Sequence, residues 1–279
     1  MKISIIIPTY NEGDSLKECV ASLARQTLKD FEIIVVDDGS SDSTSQTLRD
    51  ASKTLPNFQL IEQKHKGAGS ARNLGVSKAV GKILVFVDTD MTFDKDFLRK
   101  LTGPIEKGEA KGTFSKEEYV ANWDNVWSRC WNINEGWEAK RRHPKNYPDI
   151  QPVFRAVLKS EFDRVGGFTP GGYNDDWSLF SKLEYGAINA PGAVFYHKNP
   201  GNLTEVFSHA KWVGKRHYKL GYLGYLGNLI KFSLPLSLIT GVYKAIVSGT
   251  LSFIIFKIIY DFGVFIGILK FMFTNKGAK

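Results

Sequence analysis

Over its first hundred residues the chain alternates short apolar runs with longer stretches of helical periodicity. The apolar runs predict strands at 3–8, 32–37, 59–62 and 83–88, and the stretches between and after them predict helices at 15–27, 44–53, 70–78 and 95–101. A strand that is followed by a helix and a parallel strand requires a right-handed crossover connection. This rhythm restricts the N-terminal part to an α/β fold with a mostly parallel sheet and flanking helices.

The remainder of the chain changes character twice. Residues 103–150 interrupt the rhythm, and residues 152–200 return to it with strand signals at 153–158 and 193–197. After residue 200 the sequence becomes basic and apolar. We therefore predict one catalytic domain over 1–200, a basic, aromatic membrane-interface helix region over 201–228 with a helix at 203–220, and a membrane hairpin over 229–279.

Two apolar stretches, 229–247 and 251–273, are each long enough to cross a bilayer core of about 30 Å. Lys231 and Lys244 lie near the ends of the first stretch. Lys257 and Asp261 lie deeper in the second, but their i, i+4 spacing allows them to pair on one helix face. A two-helix transmembrane hairpin is the leading interpretation, and helices lying in the membrane plane or a soluble helical subdomain are the alternatives.

The positive charge of the chain is concentrated in the same tail. The net charge is +8, and residues 1–200 carry equal numbers of basic and acidic side chains, so the whole excess lies in 201–279. A basic and apolar segment suits the lipids of an anionic membrane surface, and no nucleic-acid partner is expected; a solvated basic face is the alternative. Basic residues on both sides of the hairpin predict a cell-membrane protein whose catalytic domain is cytoplasmic.

An aromatic stripe interrupts the α/β rhythm. Trp123, Trp127 and Trp131 recur every four residues and so share one face of a predicted helix. Such a stripe is typical of a packed core. The alternative is an amphipathic helix at the membrane surface, with the basic run 140–143 on lipid phosphates.

Acidic side chains follow the fourth predicted strand. Asp88-Thr89-Asp90 comes directly after the buried run 83–87, at the edge of the sheet where open α/β folds hold their ligands. Mg²⁺ and Mn²⁺ bind one or two carboxylates together with substrate phosphates. The motif therefore predicts a metal and diphosphate site, with a plain strand-end turn as the alternative.

Three other segments surround the same predicted edge. Asp38 follows the second strand, where a carboxylate can contact a ribose or a base. Pro8, Tyr10 and Glu12 lie in the turn after the first strand. Arg72 follows a glycine-rich turn that opens a helix, an arrangement suited to a diphosphate. For Asp38 the alternative is an ordinary Asp-Gly turn that caps the next helix.

A second acidic pair, Asp175-Asp176, begins a short apolar helical pattern. Near a pocket, one of these carboxylates can act as a general base. The alternative is that both merely complement the helix dipole.

In this order and spacing, the motifs resemble those of the inverting family 2 glycosyltransferases, which have the Rossmann-like GT-A fold. The resemblance covers about residues 1–200. It rests on five motifs in register: Pro8-Thr9-Tyr10-Asn11-Glu12, Val36-Asp37-Asp38-Gly39-Ser40-Ser41-Asp42, Gly69-Ser70-Ala71-Arg72-Asn73-x-Gly75, Asp88-x-Asp90, and Asn174-Asp175-Asp176-x-x-Leu179 after Val165-Gly166-Gly167-Phe168.

The resemblance implies roles for the donor site. Pro8, Tyr10, Glu12 and Asp38 would contact the nucleoside, and Arg72 would lie near the diphosphate or the sugar.

It also implies roles for the reacting groups. Asp88 would contact the ribose of the nucleotide, and Asp90 would bind Mg²⁺ or Mn²⁺. His197 resembles a late histidine that contacts the metal or the diphosphate in some relatives; a structural histidine is the alternative. Asp176 would deprotonate the acceptor, and the transfer would proceed by in-line attack with inversion.

The tail narrows the class of acceptor. The chain lacks the Gln-x-x-Arg-Trp motif of processive polysaccharide synthases, and it resembles a reduced cellulose-synthase-like member or a polyprenyl-phosphate-sugar-synthase-like one. A sugar hydroxyl needs a base, whereas a lipid phosphate is already ionised. Asp176 therefore favours transfer of a hexose from GDP-mannose or a UDP-hexose to a hydroxyl of a lipid-linked glycan. A polyprenyl (dolichyl) phosphate sugar synthase and a catalytically silent sugar-nucleotide or glycan-binding membrane subunit are the alternatives.

Overall fold

The structure is a computed structural model that describes residues 2–44, 46, 48–49, 57–170 and 175–274; the side chains of Asp14, Asp175 and Asp176 are not described. The predicted helix 44–53 lies largely outside these residues. The chain forms two compact units, one made of 1–119 and 146–197, the other of 120–145 and 198–279. The predicted boundary at residue 200 lies near the break after His197, whereas segment 120–145 groups with the C-terminal helices.

An eight-stranded sheet organises the first unit. Four of its strands, in the order β3-β2-β1-β4, run parallel to one another, and β10 is parallel to β6. Strand β9 joins the two parallel groups through antiparallel pairings, and β8 closes one edge. The mostly parallel sheet confirms the predicted α/β class. The strands are β1 (Ile3–Thr9), β2 (Phe31–Asp37), β3 (Phe58–Glu62), β4 (Ile83–Phe86), β6 (Gly112–Phe114), β8 (Ile150–Gln151), β9 (Ala156–Leu158) and β10 (Ala187–Asn189).

Helices cover both faces of this sheet. Because side chains alternate along a strand, Ile5 and Ile7 of β1 face one layer while Ile6 faces the other. The first layer contains α1 (Gly13–Ala24) and α3 (Phe97–Glu106), and the second contains α2 (Ala68–Val76), α5 (Lys159–Arg164) and α6 (Asp175–Leu183). Burial of both faces explains why these strands read as continuous apolar runs.

A small second sheet lies next to the end of β4. Its order is β5-β11-β7, with β5 spanning Met91–Phe93, β11 spanning Phe195–His197 and β7 spanning Glu118–Val120. In the antiparallel register of β5 and β11, His197 pairs with Met91. This pairing brings His197 next to Asp90, more than a hundred residues earlier in the chain.

The second unit is helical. It contains α4 (Val126–Glu135), α7 (Leu203–Gly214), α8 (Gly221–Lys231), α9 (Leu234–Ser248) and α10 (Ser252–Thr274). The predicted helix 203–220 is therefore too long, since α7 ends at Gly214. Of the tryptophan stripe, Trp123 precedes α4, and Trp131 is buried with ring contacts to Phe256 and Tyr260. For Trp131 the core interpretation holds.

Helix α10, with 23 residues, is the one helix of the described residues that alone is long and apolar enough to cross a membrane. The predicted pairing of Lys257 and Asp261 on one face of this helix is confirmed, because Lys257 Nζ lies 2.8 Å from Asp261 Oδ1. The first predicted span, 229–247, is not one straight helix. Helices α8 and α9 meet there at a bend of 55°, where Pro235 occupies the first turn of α9 and cannot continue the hydrogen bonds of α8.

Small residues allow α7 and α10 to pack closely. Gly263 and Gly267 of α10 face Ala210 and Gly214 of α7. A Cβ atom at Gly267 would collide with the Lys211 carbonyl oxygen, and one at Gly263 would lie 2.7 Å from the Phe207 carbonyl oxygen. This spacing of small residues every four positions is the arrangement that lets apolar helices associate within a membrane.

We predict that Gly267→Ala destabilises the second unit by about 1–3 kcal/mol, because the new methyl group meets backbone that cannot move without separating the two helices. Gly227→Ala is the matched control, since no atom lies within 4 Å of its Cβ position. It should be neutral or slightly stabilising. Thermal unfolding of both variants in detergent, followed by circular dichroism, measures the difference; equal midpoints would contradict the close-packing interpretation.

Candidate active site

Four of the predicted acidic site residues lie at one edge of the main sheet. Strands β1, β2 and β4 are parallel neighbours, so their carboxyl ends lie side by side. Glu12 follows β1, Asp38 follows β2, and Asp88 and Asp90 follow β4. Three segments that are distant in sequence thus deliver their polar side chains to the place where such sheets hold ligands.

Asp88 lies between two arginines. Its Oδ1 accepts a hydrogen bond from Arg72 at 2.7 Å, and its Oδ2 lies 3.3 Å from the Arg155 guanidinium. Burial opposes ionisation of this carboxyl, but the two guanidinium groups outweigh it and hold the pKa of Asp88 well below its usual range. Asp88 is therefore a fixed carboxylate. The sequence motifs include Arg72 but not Arg155, which immediately precedes the three-residue strand β9.

Asp90 faces His197 at the junction with the second sheet. Asp90 Oδ2 lies 3.0 Å from His197 Nε2, and the other ring nitrogen, Nδ1, lies 2.7 Å from Glu118 Oε1. The sequence motifs include His197 but not Glu118, which belongs to β7. Among the described residues, no group of three or more His, Cys, Asp or Glu side chains is arranged to hold a metal ion. The predicted metal contacts of Asp90 and His197 stay predictions.

Glu12 adds a further acidic group. Its Oε2 accepts a hydrogen bond from the Thr89 hydroxyl. Part of the residue is open to solvent, yet the surrounding protein withdraws water from the carboxyl group. This desolvation, reinforced by the negative charges of Asp90 and Asp88, raises the pKa of Glu12 to about 8. The site thus resists a further negative charge, and Glu12 is mostly protonated at neutral pH.

Asp38 holds the turn that leads into α2. Its carboxylate accepts hydrogen bonds from the backbone N–H groups of Lys66 and Gly67, both at 2.8 Å, and from the Gln63 side chain at 2.6 Å. It also lies 2.9 Å from His65 Nδ1. These bonds fix Gly67 at a φ of 91°, a conformation that favours glycine. Asp38 therefore orients the start of the helix that carries Arg72, and its predicted nucleoside contact stays a prediction.

The turn after β1 places one aromatic ring at the surface. Pro8 is buried within β1 and pairs with Val36 of β2. Tyr10 is exposed, and its ring lies 4.3 Å from the His65 ring, centroid to centroid. Tyr10 and His65 together form an exposed aromatic pair beside Asp38, which is compatible with the predicted contact to a base.

A pair of hydrogen bonds links α2 to the segment that precedes α6. Asn73 Nδ2 donates to the Phe168 carbonyl at 2.9 Å, and its Oδ1 accepts from the Phe168 N–H at 3.0 Å. Gly167, at a φ of 73°, approaches Asn73 so closely that a Cβ would lie 2.7 Å from Oδ1. Two of the sequence motifs are therefore parts of one structural feature.

Asp176 belongs to the first turn of α6, which is described by its backbone alone at this position. Its side chain, like residues 171–174, lies outside the described residues. Trp177, the next residue, is exposed. The placement of Asp176 relative to the other acidic groups stays a prediction.

The sheet order, the acidic edge and the Asp-x-Asp segment define a nucleotide-binding α/β domain of the GT-A class. Residues 4–166 match the family model for glycosyl transferase family 2, and the chain belongs to that family.

Curated relatives and solved structures agree with this assignment. The chain is 38% identical over 223 residues to the uncharacterized glycosyltransferase EpsJ of Bacillus subtilis, covering 73% of this chain and 63% of EpsJ. It is 42% identical over 89 residues to the uncharacterized glycosyltransferase YibD of Escherichia coli, covering 32% of this chain and 26% of YibD. The chain thus spans less than two thirds of the length of these relatives.

Two solved structures share the fold at low sequence identity. TarS 1–349 of S. aureus in complex with UDP-GlcNAc has a TM-score of 0.60 at 18% identity, covering 98% of this chain and 92% of that one. The mannosyltransferase PcManGT of Pyrobaculum calidifontis in complex with GDP-Man and Mn²⁺ has a TM-score of 0.59 at 19% identity, covering 96% of this chain and 87% of that one.

The Asp88 ion pairs predict a specific acid sensitivity. Because folding lowers the pKa of Asp88, its ion pairs stabilise the protein above the unfolded-state pKa of about 4, and this contribution is lost as the pH falls below that value. Arg155→Gln should lower the unfolding temperature at pH 7 and reduce its dependence on pH between 6 and 3. Arg99→Gln, which removes an exposed ion pair with Asp96, is the control and should leave the pH profile close to wild type. Identical profiles for wild type and Arg155→Gln would refute the interpretation.

Proposed function

We propose that the chain is a membrane-bound, divalent-metal-dependent, inverting hexosyltransferase. It transfers a hexose from a nucleotide-diphosphate sugar, GDP-mannose or a UDP-hexose, to a hydroxyl of a lipid-linked glycan at the cytoplasmic face of the membrane. The observation that carries the proposal is the pairing of a fixed carboxylate, Asp88, with the neighbouring Asp90–His197 donor pair at the carboxyl edge of the sheet.

The donor half of the proposal rests on charge and position. Arg72 is buried and held by Asp88, so it is oriented before any ligand arrives. Preorganised guanidinium groups bind phosphate oxygens with little loss of side-chain entropy. Asp88 in turn presents a carboxylate for a ribose hydroxyl, while Tyr10 and the Asp38 turn contact the base. The two structural neighbours solved with UDP-GlcNAc and GDP-Man support this type of donor.

The residues at Asp90 fit a divalent cation. A neutral His197 ring that donates Nδ1–H to Glu118 presents the lone pair of Nε2 towards Asp90, so two acceptors face each other across 3.0 Å. A proton or a cation between them resolves that conflict, and Mg²⁺ or Mn²⁺ bound there would neutralise charge on the departing diphosphate. A cation bound there would also favour the ionised form of Glu12, whose pKa burial and the neighbouring carboxylates otherwise raise.

Asp176 completes the proposed mechanism as the general base. It removes the proton of the acceptor hydroxyl as the oxygen attacks the anomeric carbon from the side opposite the diphosphate, which inverts the configuration. Its place in the first turn of α6 exposes it to the positive end of the helix dipole, which favours the ionised form that accepts a proton.

The C-terminal part provides the membrane location in this proposal. Residues 1–200 carry the transfer reaction, and residues 201–279 hold the enzyme at the bilayer through an interface region and an apolar hairpin. The length and apolar character of α10 support this division, as does the basic excess of the tail.

For the metal, we predict that EDTA abolishes transfer and that Mn²⁺ or Mg²⁺ restores it. We also predict that Glu118→Ala weakens Mn²⁺ binding by about 10–100-fold, because the His197 ring loses the partner that fixes its orientation. Titration of free Mn²⁺ by electron paramagnetic resonance measures this without any turnover. Glu118→Gln keeps a hydrogen-bond acceptor, so its Mn²⁺ affinity should fall between those of the wild type and Glu118→Ala. Glu109→Gln changes an exposed position and serves as the control. Wild-type Mn²⁺ affinity in Glu118→Ala would reject this role of Glu118.

For the base, we predict that Asp176→Asn lowers kcat by about 10²–10⁴-fold with little change in donor affinity. Asp175→Asn is the matched neighbour and should lose far less. Membranes supplied with labelled nucleotide sugar provide the assay, and the lipid product identifies the acceptor. Full activity of Asp176→Asn would remove the base assignment, and a product with a single sugar on polyprenyl monophosphate would favour the polyprenyl-phosphate sugar synthase.

A further inference from the structure

Three lysines gather at one end of the α7–α10 pair. Lys211 lies in the last turn of α7, and Lys215 is the residue that caps this helix. Lys270 lies one turn beyond Gly267 of α10, whose backbone contacts the Lys211 carbonyl. The close packing of the two helices therefore brings the three lysines onto neighbouring turns, near enough for Lys270 and Lys211 to repel the charge of Lys215. We refer to Lys211, Lys215 and Lys270 as the lysine cluster.

Within the described part of the tail, no carboxylate neutralises this cluster. Residues 201–279 contain two acidic side chains, Glu205 and Asp261. Glu205 caps the opposite end of α7 by accepting hydrogen bonds from the Gly201 N–H at 2.7 Å and the Asn202 side chain at 2.6 Å. Asp261 is engaged by Lys257 at 2.8 Å and by Ser237 at 2.7 Å. Both carboxylates of the tail are thus engaged away from the cluster, and its positive charge can receive an external anion.

The pKa of Lys215 reflects the positive charge of the two other lysines. Partial burial, together with repulsion from Lys270 and Lys211, lowers the pKa of Lys215. A structure that holds three like charges together and half-buries one of them loses stability unless an anion binds there.

Aromatic and apolar side chains surround the same end of α10. The ring of Phe271 contacts His217 at 4.9 Å and Tyr225 at 6.0 Å. On the adjoining segment, Leu220, Tyr222 and Leu223 are among the most exposed large side chains of the chain. Lysines beside aromatic rings and exposed apolar groups are typical of the headgroup level of a bilayer.

We propose that Lys211, Lys215 and Lys270 form a binding site for the phosphate group of an anionic lipid. The lysine cluster meets the phosphate, and the apolar side chains around Phe271 meet the chain that the phosphate carries. A free phosphate would use only the first of these surfaces, and a nucleic acid would not use the second. The inference rests on the proposed membrane location but not on glycosyl transfer.

Equilibrium binding of radiolabelled farnesyl phosphate to the full-length chain in detergent tests the proposal, with EDTA present so that cation-dependent phosphate binding in the first unit is suppressed. The variant Lys211→Gln/Lys215→Gln/Lys270→Gln should bind at least about tenfold more weakly, because each basic residue near an anionic lipid contributes about 1 kcal/mol. The variant Lys78→Gln/Lys82→Gln/Lys107→Gln removes the same charge from exposed positions of the first unit and should bind like the wild type.

Competition separates the possible sources of affinity. Neither inorganic phosphate nor farnesol should displace the labelled probe at concentrations where unlabelled farnesyl phosphate does. Equal displacement by inorganic phosphate would identify a site for free anions, equal displacement by farnesol would identify simple apolar partition, and wild-type binding by the cluster variant would exclude these lysines; each result would overturn the proposal.

A second measurement distinguishes a loss of lipid binding from a folding defect and from a loss of donor binding. The cluster variant should retain the wild-type increase in unfolding temperature on addition of UDP or GDP with Mn²⁺, because those ligands belong to the first unit. Absence of that increase in both proteins would count against the proposed donor site and leave the lipid result standing. Loss of the nucleotide effect in the cluster variant alone would show a folding defect, and the single variant Lys270→Gln would then be measured, with wild-type affinity overturning the proposal.

Discussion

The ion pairs of Asp88 with Arg72 and Arg155 connect the three segments on which the site depends. Asp88 follows β4, Arg72 lies on α2, and Arg155 precedes β9. The backbone adds to the same junction, since the Phe86 N–H donates to the Arg155 carbonyl at 2.9 Å. Because the arginines fix both oxygens of Asp88, the neighbouring Asp90 is held at a defined position on the edge of the second sheet. The arrangement of the site is thus a consequence of strand order.

Electrostatic balance explains why so many carboxylates can share this edge. Glu12, Asp88, Asp90 and Glu118 share this edge with Arg72, Arg155 and His197. The arginines hold Asp88, and the charges of Asp90 and Asp88 add to the desolvation that raises the pKa of Glu12. An unbalanced carboxylate group costs stability in the free protein and gains it when a cation binds. The charge pattern favours a ligand that brings a metal.

The sequence predicts those site residues that lie next to a strand end or a turn that can be recognised from the neighbouring residues. Asp88, Asp90 and Arg72 lie beside a recognisable strand end or glycine turn. Arg155 lies within the strand predicted at 153–158, where a basic side chain gives no sign of a ligand site, and Glu118 begins a three-residue strand that is too short to show periodicity. Only the pairing of β9 with β4, and of β7 with β11, brings those two residues to the site. Pro235 is a local sign of a break within the apolar stretch 229–247. The apolar composition of the stretch as a whole instead predicts one continuous span. The fold class can be predicted because several long apolar runs indicate the same α/β arrangement. The residues at short strands that interact with Asp88 and His197 cannot be predicted in this way.

The helices of the second unit carry lysines in two different environments. Lys257 lies within the apolar length of α10, where Asp261 pairs with it and Ser237 completes the hydrogen bonds of the carboxylate. A charge at that depth is tolerated only with such a partner. The lysine cluster lies at the opposite extreme, at one end of the same helix and without a carboxylate in the described tail. Paired charge in the middle and excess positive charge at one end distinguish the two ends of α10. In the proposed membrane location, the basic end meets the anionic surface at which the lipid-borne acceptor of the proposed reaction is presented.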